Sequence, residues 1–480
     1  MTAALSFDFM KDLRPAPALR PMMNIGCLFD IPTGRYYLGK YGESILNGGI
    51  AHLTGIGGRG NTFKSTIMFF MILRALERYA QSVGHVYDTE MSLTLARLQE
   101  LCEYGAPSLF VEGLEESQRL SLTDKTVYDG TEWFDMLKTA TKERAKHPKD
   151  QMGVTPFLDK EGKAISYLFP FLVGVDSLSL FNTANVVRIQ QENDIGDSGR
   201  NTEALRDGGA KTQFVSELPT MTARNGIYML LSAHMGDEFQ LDPRATPQKK
   251  LAFLKQNVKF KNTPEKFTFL MNNCWWSVTA SPMMTDDKVP EFPRDKDDSM
   301  KGDTDLMRVQ ITQLRGKNGP TGMALTLVVS QSEGVLPSLS EFLYIKENGR
   351  YGFEGNLQNF SLALLPDVNL SRTTVRRKIN ENARLRRALE IQSEMLQMEQ
   401  YWHDVPAALQ CTPKQLYDDL KAKGYNWDQL LDTRGYWVFD NDKHPVPFLS
   451  TMDLMNMRAG LYHPYWMAEK PTPVALPKAA

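Results

Sequence analysis

The sequence predicts an α/β fold, with a mainly parallel central sheet flanked by helices and a smaller, mostly helical C-terminal region. Three observations support this prediction. A glycine-rich stretch, residues 55–66, separates a buried strand from a helix with apolar residues at helical spacing. A short strand, residues 84–90, ends in Asp88 and Glu90, an apolar run, residues 167–177, ends in Asp176 and Ser177, and another, residues 226–234, ends in a histidine. Long apolar runs are typical of strands that are buried on both faces of a parallel sheet.

Length and composition indicate how the chain is divided. A chain of 480 residues is too long for one compact core, so we expect one large domain with appendages. The character of the sequence changes near residues 35 and 355. We therefore predict an N-terminal segment over 1–35, a core domain over 36–355 and a mostly helical C-terminal region over 356–480.

The cysteines and the absence of long apolar segments indicate the compartment. Four cysteines lie far apart in the sequence without a CxxC spacing, which argues against a disulfide framework or a zinc site. The N-terminus lacks a basic-then-apolar signal, and no segment approaches the roughly 20 apolar residues of a membrane span. We therefore expect a soluble, cytoplasmic protein that does not contact a membrane.

The glycine-rich stretch fits a phosphate-binding loop with one departure, because Phe63 stands where a glycine usually precedes the lysine. Lys64 would bring a positive charge to the β- and γ-phosphates of ATP, and the hydroxyl of Ser65 could ligate Mg²⁺. An ordinary glycine-rich turn is the alternative. The glycines expected to let the backbone wrap a phosphate are Gly55, Gly57, Gly58 and Gly60. The predicted nucleotide contacts are Gly58, Arg59, Gly60, Asn61, Thr62, Phe63, Lys64, Ser65 and Thr66.

Two strand ends carry carboxylates that suit nucleotide hydrolysis. Glu90 follows the strand after the phosphate helix, where a base could activate water against the γ-phosphate. A solvated acidic strand end is the alternative interpretation. Asp176 ends an apolar run, and a carboxylate at the C-terminal end of a central strand can hold Mg²⁺. We therefore expect ATP and Mg²⁺ as ligands, with Ser65 and Asp176 beside the metal.

A basic tract with interleaved phenylalanines follows the strand that ends at His234. This composition is typical of a groove that binds a single strand of nucleic acid. A solvated basic surface is the alternative. The basic residues of the tract are Arg244, Lys249, Lys250, Lys255, Lys259, Lys261 and Lys266.

Three further segments lie outside these motifs. Residues 1–35 are proline-rich and cannot form a core alone, so they pack on their own domain or on a neighbouring subunit, which we favour. Residues 306–331 predict a hairpin with a tight basic turn at 315–322. Ser371 is expected to cap a basic helix that extends to about Trp402. This helix has the look of a DNA-recognition helix, although a solvated basic helix is the commoner outcome.

The order of these motifs resembles the core ATPase of RecA-type recombinases over roughly residues 35 to 335. The shared features are the phosphate loop, a glutamate after the second strand, an Asp-Ser pair on the third, and an Ile-Gly-Asp-Ser loop at residues 195–198. A polar strand end and a basic loop then follow. Within the family, Phe63 before the Lys-Ser pair, and Ala-Lys-Thr-Gln-Phe at 210–214 before the strand ending in His234, are most similar to the phage UvsX branch.

The resemblance implies what the protein does and with which partners. Members of the family form helical filaments on single-stranded DNA and promote homologous pairing and strand exchange in recombination, repair and replication. The chain would accordingly be a DNA-dependent ATPase that uses ATP and Mg²⁺ and assembles as a homo-oligomer. Single-strand-binding and loading proteins would be further partners. The protein would be phage-encoded and act in the cytoplasm of a bacterial host.

The resemblance also implies roles for single residues. Glu90 would be the catalytic base, Asp176 the metal-shell carboxylate, and His234 the sensor between the γ-phosphate and DNA. The two DNA-binding loops would be the one around residues 192–200, which includes Arg200, and the one at 235–263. Two basic residues of the predicted hairpin would reach the nucleotide of the neighbouring subunit, namely Lys317 and Arg315.

The sequence departs from the family pattern in three ways, and one of them is a second DNA loop longer than that of bacterial recombinases. Thr94 and Arg97 stand where the family usually has an Asp and a Tyr around the adenine. The basic turn at 315–322 is more similar to the hairpin of DnaB-type hexameric helicases, which share this core. A ring-forming DNA helicase is therefore the alternative function, and a structural P-loop ATPase that does not act on DNA is a third.

Overall fold

The computed structural model describes residues 19–238, 251–255, 257–295, 297–298, 300–401 and 405–467. The strands of this part are β1 Arg35–Leu38, β2 Ser44–Asn47, β3 Leu53–Gly58, β4 Val83–Asp88, β5 Leu120–Asp124, β6 Met152–Leu158, β7 Ala164–Leu168, β8 Phe171–Asp176, β9 Ile227–Asp237, β10 Val258–Phe260, β11 Asn273–Pro282, β12 Leu306–Gly316, β13 Ala324–Ser330, β14 Gly334–Val335, β15 Phe353–Gly355, β16 Phe360–Leu362 and β17 Leu365–Leu370. The α-helices are α1 Asp30–Thr33, α2 Lys64–Arg78, α3 Leu95–Gly105, α4 Pro107–Glu112, α5 Leu114–Ser117, α6 Gly130–Lys146, α7 Ala184–Glu192, α8 Glu203–Asn225, α9 Lys266–Leu270, α10 Pro337–Glu347, α11 Val375–Glu381, α12 Ala383–Tyr401, α13 Pro413–Ala422, α14 Trp427–Leu431 and α15 Thr451–Ala459.

A large central sheet has the strand order β14-β13-β12-β11-β3-β9-β8-β4-β5, and β10 pairs with the end of β9. The strands from β11 to β5 in this order run parallel to one another, whereas β12, β13 and β14 add antiparallel pairs at one side. The prediction of an α/β fold with a mainly parallel central sheet is confirmed. In such a sheet the carboxyl ends of the parallel strands meet at one edge, where ligands bind in this class of fold.

Helices cover both faces of the sheet because successive strand residues point to opposite sides. On one face, Val86 and Leu230 pack with α2 and α3 in one hydrophobic cluster. On the other, Tyr87 and Leu231 pack with α6 and α8 in a second cluster. The strands therefore have apolar residues on both faces, which explains the long apolar runs in the sequence.

Residues 19–35 pack within their own chain. Met23 pairs with Ile50 through two backbone hydrogen bonds, and Asp30 accepts hydrogen bonds from the backbone of Ile25 and Gly26. These residues are buried, apart from those at the two ends of the segment. The interpretation that favoured a neighbouring subunit is thus wrong for residues 19–35, and residues 1–18 lie outside the described part.

The C-terminal region packs on the core through α10. A third hydrophobic cluster joins α10 to α11, α12, α13 and the three-stranded sheet β15–β16–β17. That small sheet spans residues 353–370, so it crosses the boundary predicted near residue 355. Trp437 also donates a hydrogen bond to the carbonyl of Met22 over 2.9 Å, which ties the end of the chain to its beginning.

The predicted basic helix differs from the structure in two ways. It is divided into α11 and α12 at Asn382, and Thr374 rather than Ser371 precedes its first residue. Two of its arginines are buried: Arg376 lies 2.5 Å from Glu333, and Arg387 lies 2.6 Å from Glu390. These two charges are neutralised inside the fold, whereas Arg372, Arg377 and Arg386 of the same segment are exposed. The segment is therefore only partly a solvated basic helix, and its role in binding DNA stays a prediction.

Within the described residues, no helix is long and apolar enough to cross a membrane.

Candidate functional site

The glycine-rich loop connects the end of β3 at Gly58 to the first residue of α2, Lys64. Phe63 precedes α2 with φ +60° and ψ +21°, a left-handed conformation that favours glycine. Its half-buried ring packs against the hydrophobic cluster on the α2 face of the sheet. The side chain of Phe63 does not cap the helix. The first backbone N–H groups of α2 therefore have no acceptor from the N-cap side chain, and such N–H groups at a helix N-terminus can bind an anion.

Of the four glycines expected to wrap a phosphate, Gly55 and Gly57 lie inside β3, and Gly58 is the last residue of that strand. A Cβ atom at Gly55 would come within 2.8 Å of the Phe267 ring, and one at Gly57 would come within 2.5 Å of the Phe260 ring. These glycines therefore serve close packing against the segment after β9, and the prediction for them is wrong. Gly60 has open space around it, so it remains the glycine of the loop with room for a ligand.

The remaining loop residues divide into exposed and anchored ones. Arg59, Gly60 and Asn61 are exposed, and Asn61 also has a positive φ of 60°. Thr62 is buried, and its hydroxyl donates to the carbonyl of Arg59 over 2.9 Å. Ser277 on β11 donates to the carbonyl of Thr62. The loop is thus anchored to β11 at Thr62, while residues 59–61 face solvent.

Three of the side chains predicted for the site, those of Lys64, Glu90 and His234, lie together next to the loop. The ammonium group of Lys64 lies 3.2 Å from Oε1 of Glu90, and Nε2 of His234 lies 2.8 Å from the same oxygen. Burial acts to raise the pKa of Glu90, but Lys64 and His234 outweigh it and hold that pKa below its ordinary value. Glu90 is therefore a carboxylate at neutral pH, the form that a general base requires.

Asp88 positions Glu90, a role that its place at the end of the predicted strand did not indicate. It is buried at the last residue of β4, and its two oxygens accept backbone N–H groups from four consecutive residues. These donors are Glu90 at 2.8 Å, Met91 at 3.0 Å, Ser92 at 2.7 Å and Leu93 at 2.8 Å. Asp88 therefore fixes the turn that presents Glu90. The only signal in the sequence is an Asp at a strand end two residues before the glutamate.

Asp176 lies at the end of β8, beside the strand that carries Glu90. Burial raises its pKa, although Lys64 and hydrogen bonds from Ser232 and Ser65 oppose that effect. Ser65 and Asp176 are therefore neighbours, as a shared metal ion would require. Among the described residues, no group of three or more His, Cys, Asp and Glu could hold a metal by itself. Mg²⁺ often binds to one or two protein oxygens together with phosphate, and this donor set fits that mode.

A backbone connection joins this site to the basic tract. β10 pairs antiparallel with β9, and the backbone N–H of Lys261 donates to the carbonyl of His234 over 2.8 Å. Ser179 donates to the carbonyl of Lys261 and accepts from the N–H of His234, each over 2.8 Å. Lys255 and Lys261 are exposed, and Lys259 lies 3.6 Å from Glu238. The other predicted DNA contacts, Arg244, Lys249 and Lys250, lie outside the described residues.

Arg200, predicted to contact DNA from the first loop, is engaged locally. Its guanidinium donates to the carbonyl of Asn193 over 3.0 Å and to that of Gln190 over 2.8 Å. It therefore stabilises the loop between α7 and α8.

Arg315 and Lys317 lie at the other edge of the sheet. Gly316 pairs with Asn273, and Asn273 pairs with Thr54 near the start of β3. Lys317 is therefore about five residues, or roughly 16 Å, from the end of β3 along the strand direction. Arg315 donates to the carbonyl of Met271 over 3.1 Å. These two residues are not part of the site that their own chain forms.

Thr94 and Arg97 have structural roles in α3 and beside it. Thr94 caps α3 by accepting from the N–H of Arg97 over 3.1 Å. Arg97 donates to the carbonyls of Gln331 and Ser332, which joins α3 to the turn after β13.

No protein-family model matches the chain, and no curated protein matches it either. A lysine, a hydroxyl, two carboxylates and an imidazole converge at the carboxyl edge of a parallel sheet, next to the N-terminus of a helix. This arrangement is suited to binding a phosphorylated anion and to activating water beside it.

Proposed function

We propose that the chain hydrolyses ATP and uses the energy as a single-stranded-DNA-binding recombinase of the RecA type, with this site in a RecA-like P-loop core. The proposal rests mainly on the contact of Glu90 with both Lys64 and His234. This contact places a base next to the proposed phosphate-binding lysine and next to β9, the strand that leads into the basic tract. A lysine at a helix N-terminus and a nearby ionised carboxylate are the two groups that γ-phosphate transfer to water requires.

The roles of the side chains follow from their positions. Lys64 would leave Glu90 to contact the β- and γ-phosphates, because a phosphate oxygen offers the ammonium group a more highly charged partner. Glu90 would then be free to accept a proton from the attacking water. Ser65 and Asp176 would hold Mg²⁺, which neutralises developing charge on the phosphates when it is bound. Asp88 would keep Glu90 in place during the reaction.

DNA would be sensed through β9 and β10. The side chain of His234 contacts Glu90, while its carbonyl accepts from Lys261 in the basic tract. A shift of the imidazole on phosphate binding would therefore move the hairpin that carries Lys259 and Lys261. Conversely, DNA bound to these lysines would reposition Glu90, which provides a physical route for DNA to stimulate hydrolysis.

The proposal includes assembly into a filament. Lys317 is exposed and lies at the far edge of the sheet, so it can meet a nucleotide only in another subunit. We propose that Lys317, with Arg315, completes the site of its neighbour. A closed ring with helicase activity would use the same hairpin, β12–β13, and is the second candidate. Electron microscopy with an ATP analogue and single-stranded DNA distinguishes an open filament from a ring.

The hydrolysis test uses two variants. Lys64→Ala should lose ATP binding, since it removes the charge that meets the phosphates, whereas Glu90→Gln should keep binding and lose turnover. Binding is measured with a fluorescent ATP analogue and turnover by phosphate release. Parent-rate hydrolysis by Glu90→Gln would show that another residue is the base.

The DNA test compares two sets of three lysines changed to glutamine. Loss of charge at Lys255, Lys259 and Lys261 should abolish both DNA binding and DNA stimulation of hydrolysis. The matched control changes three exposed lysines elsewhere, Lys149, Lys160 and Lys301. DNA affinity should fall steeply with salt in the parent and in the control. Equal DNA stimulation of hydrolysis in both triple variants would show that the basic tract is only a solvated surface. If the parent protein binds no DNA at all, the structural ATPase is favoured.

A further inference from the structure

A cavity of about 480 Å³ lies between the C-terminal end of α2 and the C-terminal region. Its volume is within the range of small-molecule sites. Arg74 in its wall is ten residues along α2 from Lys64, or about 15 Å, so the cavity is separate from the candidate functional site. The charged residues that line it are Arg74, Arg78, Arg376, Arg386, Arg387, Arg434, Glu103, Glu341 and Glu390.

Half of these arginines have carboxylate partners. Arg78, Arg376 and Arg387 each form at least one ion pair. The other three donate to backbone carbonyls instead, and among the described residues none of them forms an ion pair. Arg74 reaches the carbonyls of residues 25 and 105, Arg386 those of 379 and 380, and Arg434 those of 436 and 446. These three arginines therefore have no carboxylate at ion-pair distance, although Glu390 and Glu77 act on Arg74, and Asp442 on Arg434, from farther away. The wall as a whole carries six arginines and three glutamates.

The three glutamates of the cavity wall do not compensate for this excess of positive charge. Glu390 is shared between Arg78 and Arg387. Glu341 is fully enclosed, and burial together with the nearby Glu390 raises its pKa well above the ordinary value. Burial therefore disfavours the charged form of Glu341, which limits the negative charge that it adds to the wall. Glu103 is exposed at the surface, where solvent screens its charge.

A second observation indicates a missing ligand. The Nε atoms of Arg78 and Arg387 are buried and have no acceptor in the described structure. Both side chains are only 5% exposed, so bulk water does not reach most of their surface. Buried donors are nearly always paired in folded proteins. In the present arrangement these two atoms have no accessible surface, so an anion would satisfy them only if the guanidinium groups turned toward the cavity.

We infer that this cavity binds a small anion with two or more phosphate groups, at a site distinct from the one that contains Lys64. Arginine forks match phosphate oxygens in geometry and charge. Three unpaired guanidinium groups require more negative charge than one carboxylate provides. Inorganic polyphosphate and a nucleoside polyphosphate share this chemistry. The bound anion would join α2 to α12 and to the segment at Arg434.

The test is isothermal titration calorimetry on the full chain carrying Lys64→Ala, with a chelator present and inorganic tripolyphosphate as the probe. One binding event should remain. Adding Arg386→Gln should weaken it about tenfold or more, because a charged hydrogen bond to phosphate is lost. Arg386 is exposed at the cavity, so its replacement should leave the fold intact. Arg434→Gln should weaken binding similarly, with circular dichroism melts to verify folding.

The matched control is Arg377→Gln, which removes an exposed arginine of α11 that does not line the cavity. It should leave tripolyphosphate affinity unchanged. A parallel titration with ATP distinguishes the sources: tighter binding than tripolyphosphate identifies a nucleoside polyphosphate, and weaker binding an inorganic one. The inference is overturned if the Lys64→Ala chain binds no tripolyphosphate, or if Arg386→Gln binds it as tightly as Arg377→Gln.

Discussion

Replacing Asp88 by asparagine tests whether the turn after β4 determines catalysis. Asp88 accepts four backbone N–H groups with two carboxylate oxygens, two to each. An asparagine has one carbonyl oxygen, so its NH₂ group would face two of these donors. These bonds are only partly buried, so each lost hydrogen bond costs about 0.5–1.5 kcal/mol net, and the turn should lose about 1–3 kcal/mol of local stability.

The expected kinetic effect is on turnover. Glu90 sits in this turn, and a displacement of about 1 Å at a catalytic group can lower a rate about 100-fold. ATP binding should change little, because Lys64 and the glycine-rich loop do not contact Asp88. We therefore expect kcat to fall by about 100-fold with a nearly constant KM for ATP, measured by phosphate release.

A matched control lies on the neighbouring strand. Asp124 is directly opposite Asp88 in the β4–β5 pairing, but its carboxylate accepts from Thr126 near the surface. Asp124→Asn should keep both kcat and the melting temperature. If Asp88→Asn also keeps the parent kcat and melting curve, the turn does not depend on this carboxylate and the positioning argument fails.

Two further predictions concern charge. His234→Ala removes one of the interactions that lower the pKa of Glu90, so this pKa should rise. The acid limb of the pH profile of kcat/KM should then move to higher pH, and an unshifted limb would contradict the assignment of Glu90 as the base. Arg376→Gln breaks a buried ion pair with Glu333 and should lower the free energy of unfolding by about 1.5–3 kcal/mol in urea titrations, since a second arginine still pairs with Glu333. The exposed Arg377→Gln should stay within about 0.5 kcal/mol of the parent, and equal effects would show that burial is unimportant here.

The strand ends of the core were predictable from the sequence because their signals are local. The runs that end at Asp88 and Asp176 can be recognised from neighbouring residues alone, because a buried apolar strand is followed at once by polar residues at the edge of the sheet. The meeting of Lys64, Glu90 and His234 followed from the order of the motifs, since parallel strands bring their carboxyl ends together. The individual distances and the four hydrogen bonds to Asp88 depend on the turn geometry, which residue types alone do not specify.

The errors have a common physical origin in contacts between distant residues. Gly55 and Gly57 were assigned to a loop because glycine indicates turns, yet here they make room for two phenylalanine rings about 200 residues away. The charge on Arg376 suggested DNA, but its partner Glu333 lies 43 residues earlier in the chain. A sequence displays charges and small residues without showing which of them meet a partner.

The hydrogen bond from Trp437 to Met22 has a consequence for synthesis on the ribosome. The two residues are 415 positions apart, so at about 5–20 residues per second roughly 20–80 s pass between the emergence of one and the other. During that interval the apolar surface of residues 22–31 is not yet covered by Trp437. Until residue 397 has emerged, it also lacks the hydrogen bond that Gln397 donates to the carbonyl of Leu28. The nascent chain therefore has a long window in which a chaperone could bind its N-terminal end, and chains released before residue 437 should aggregate.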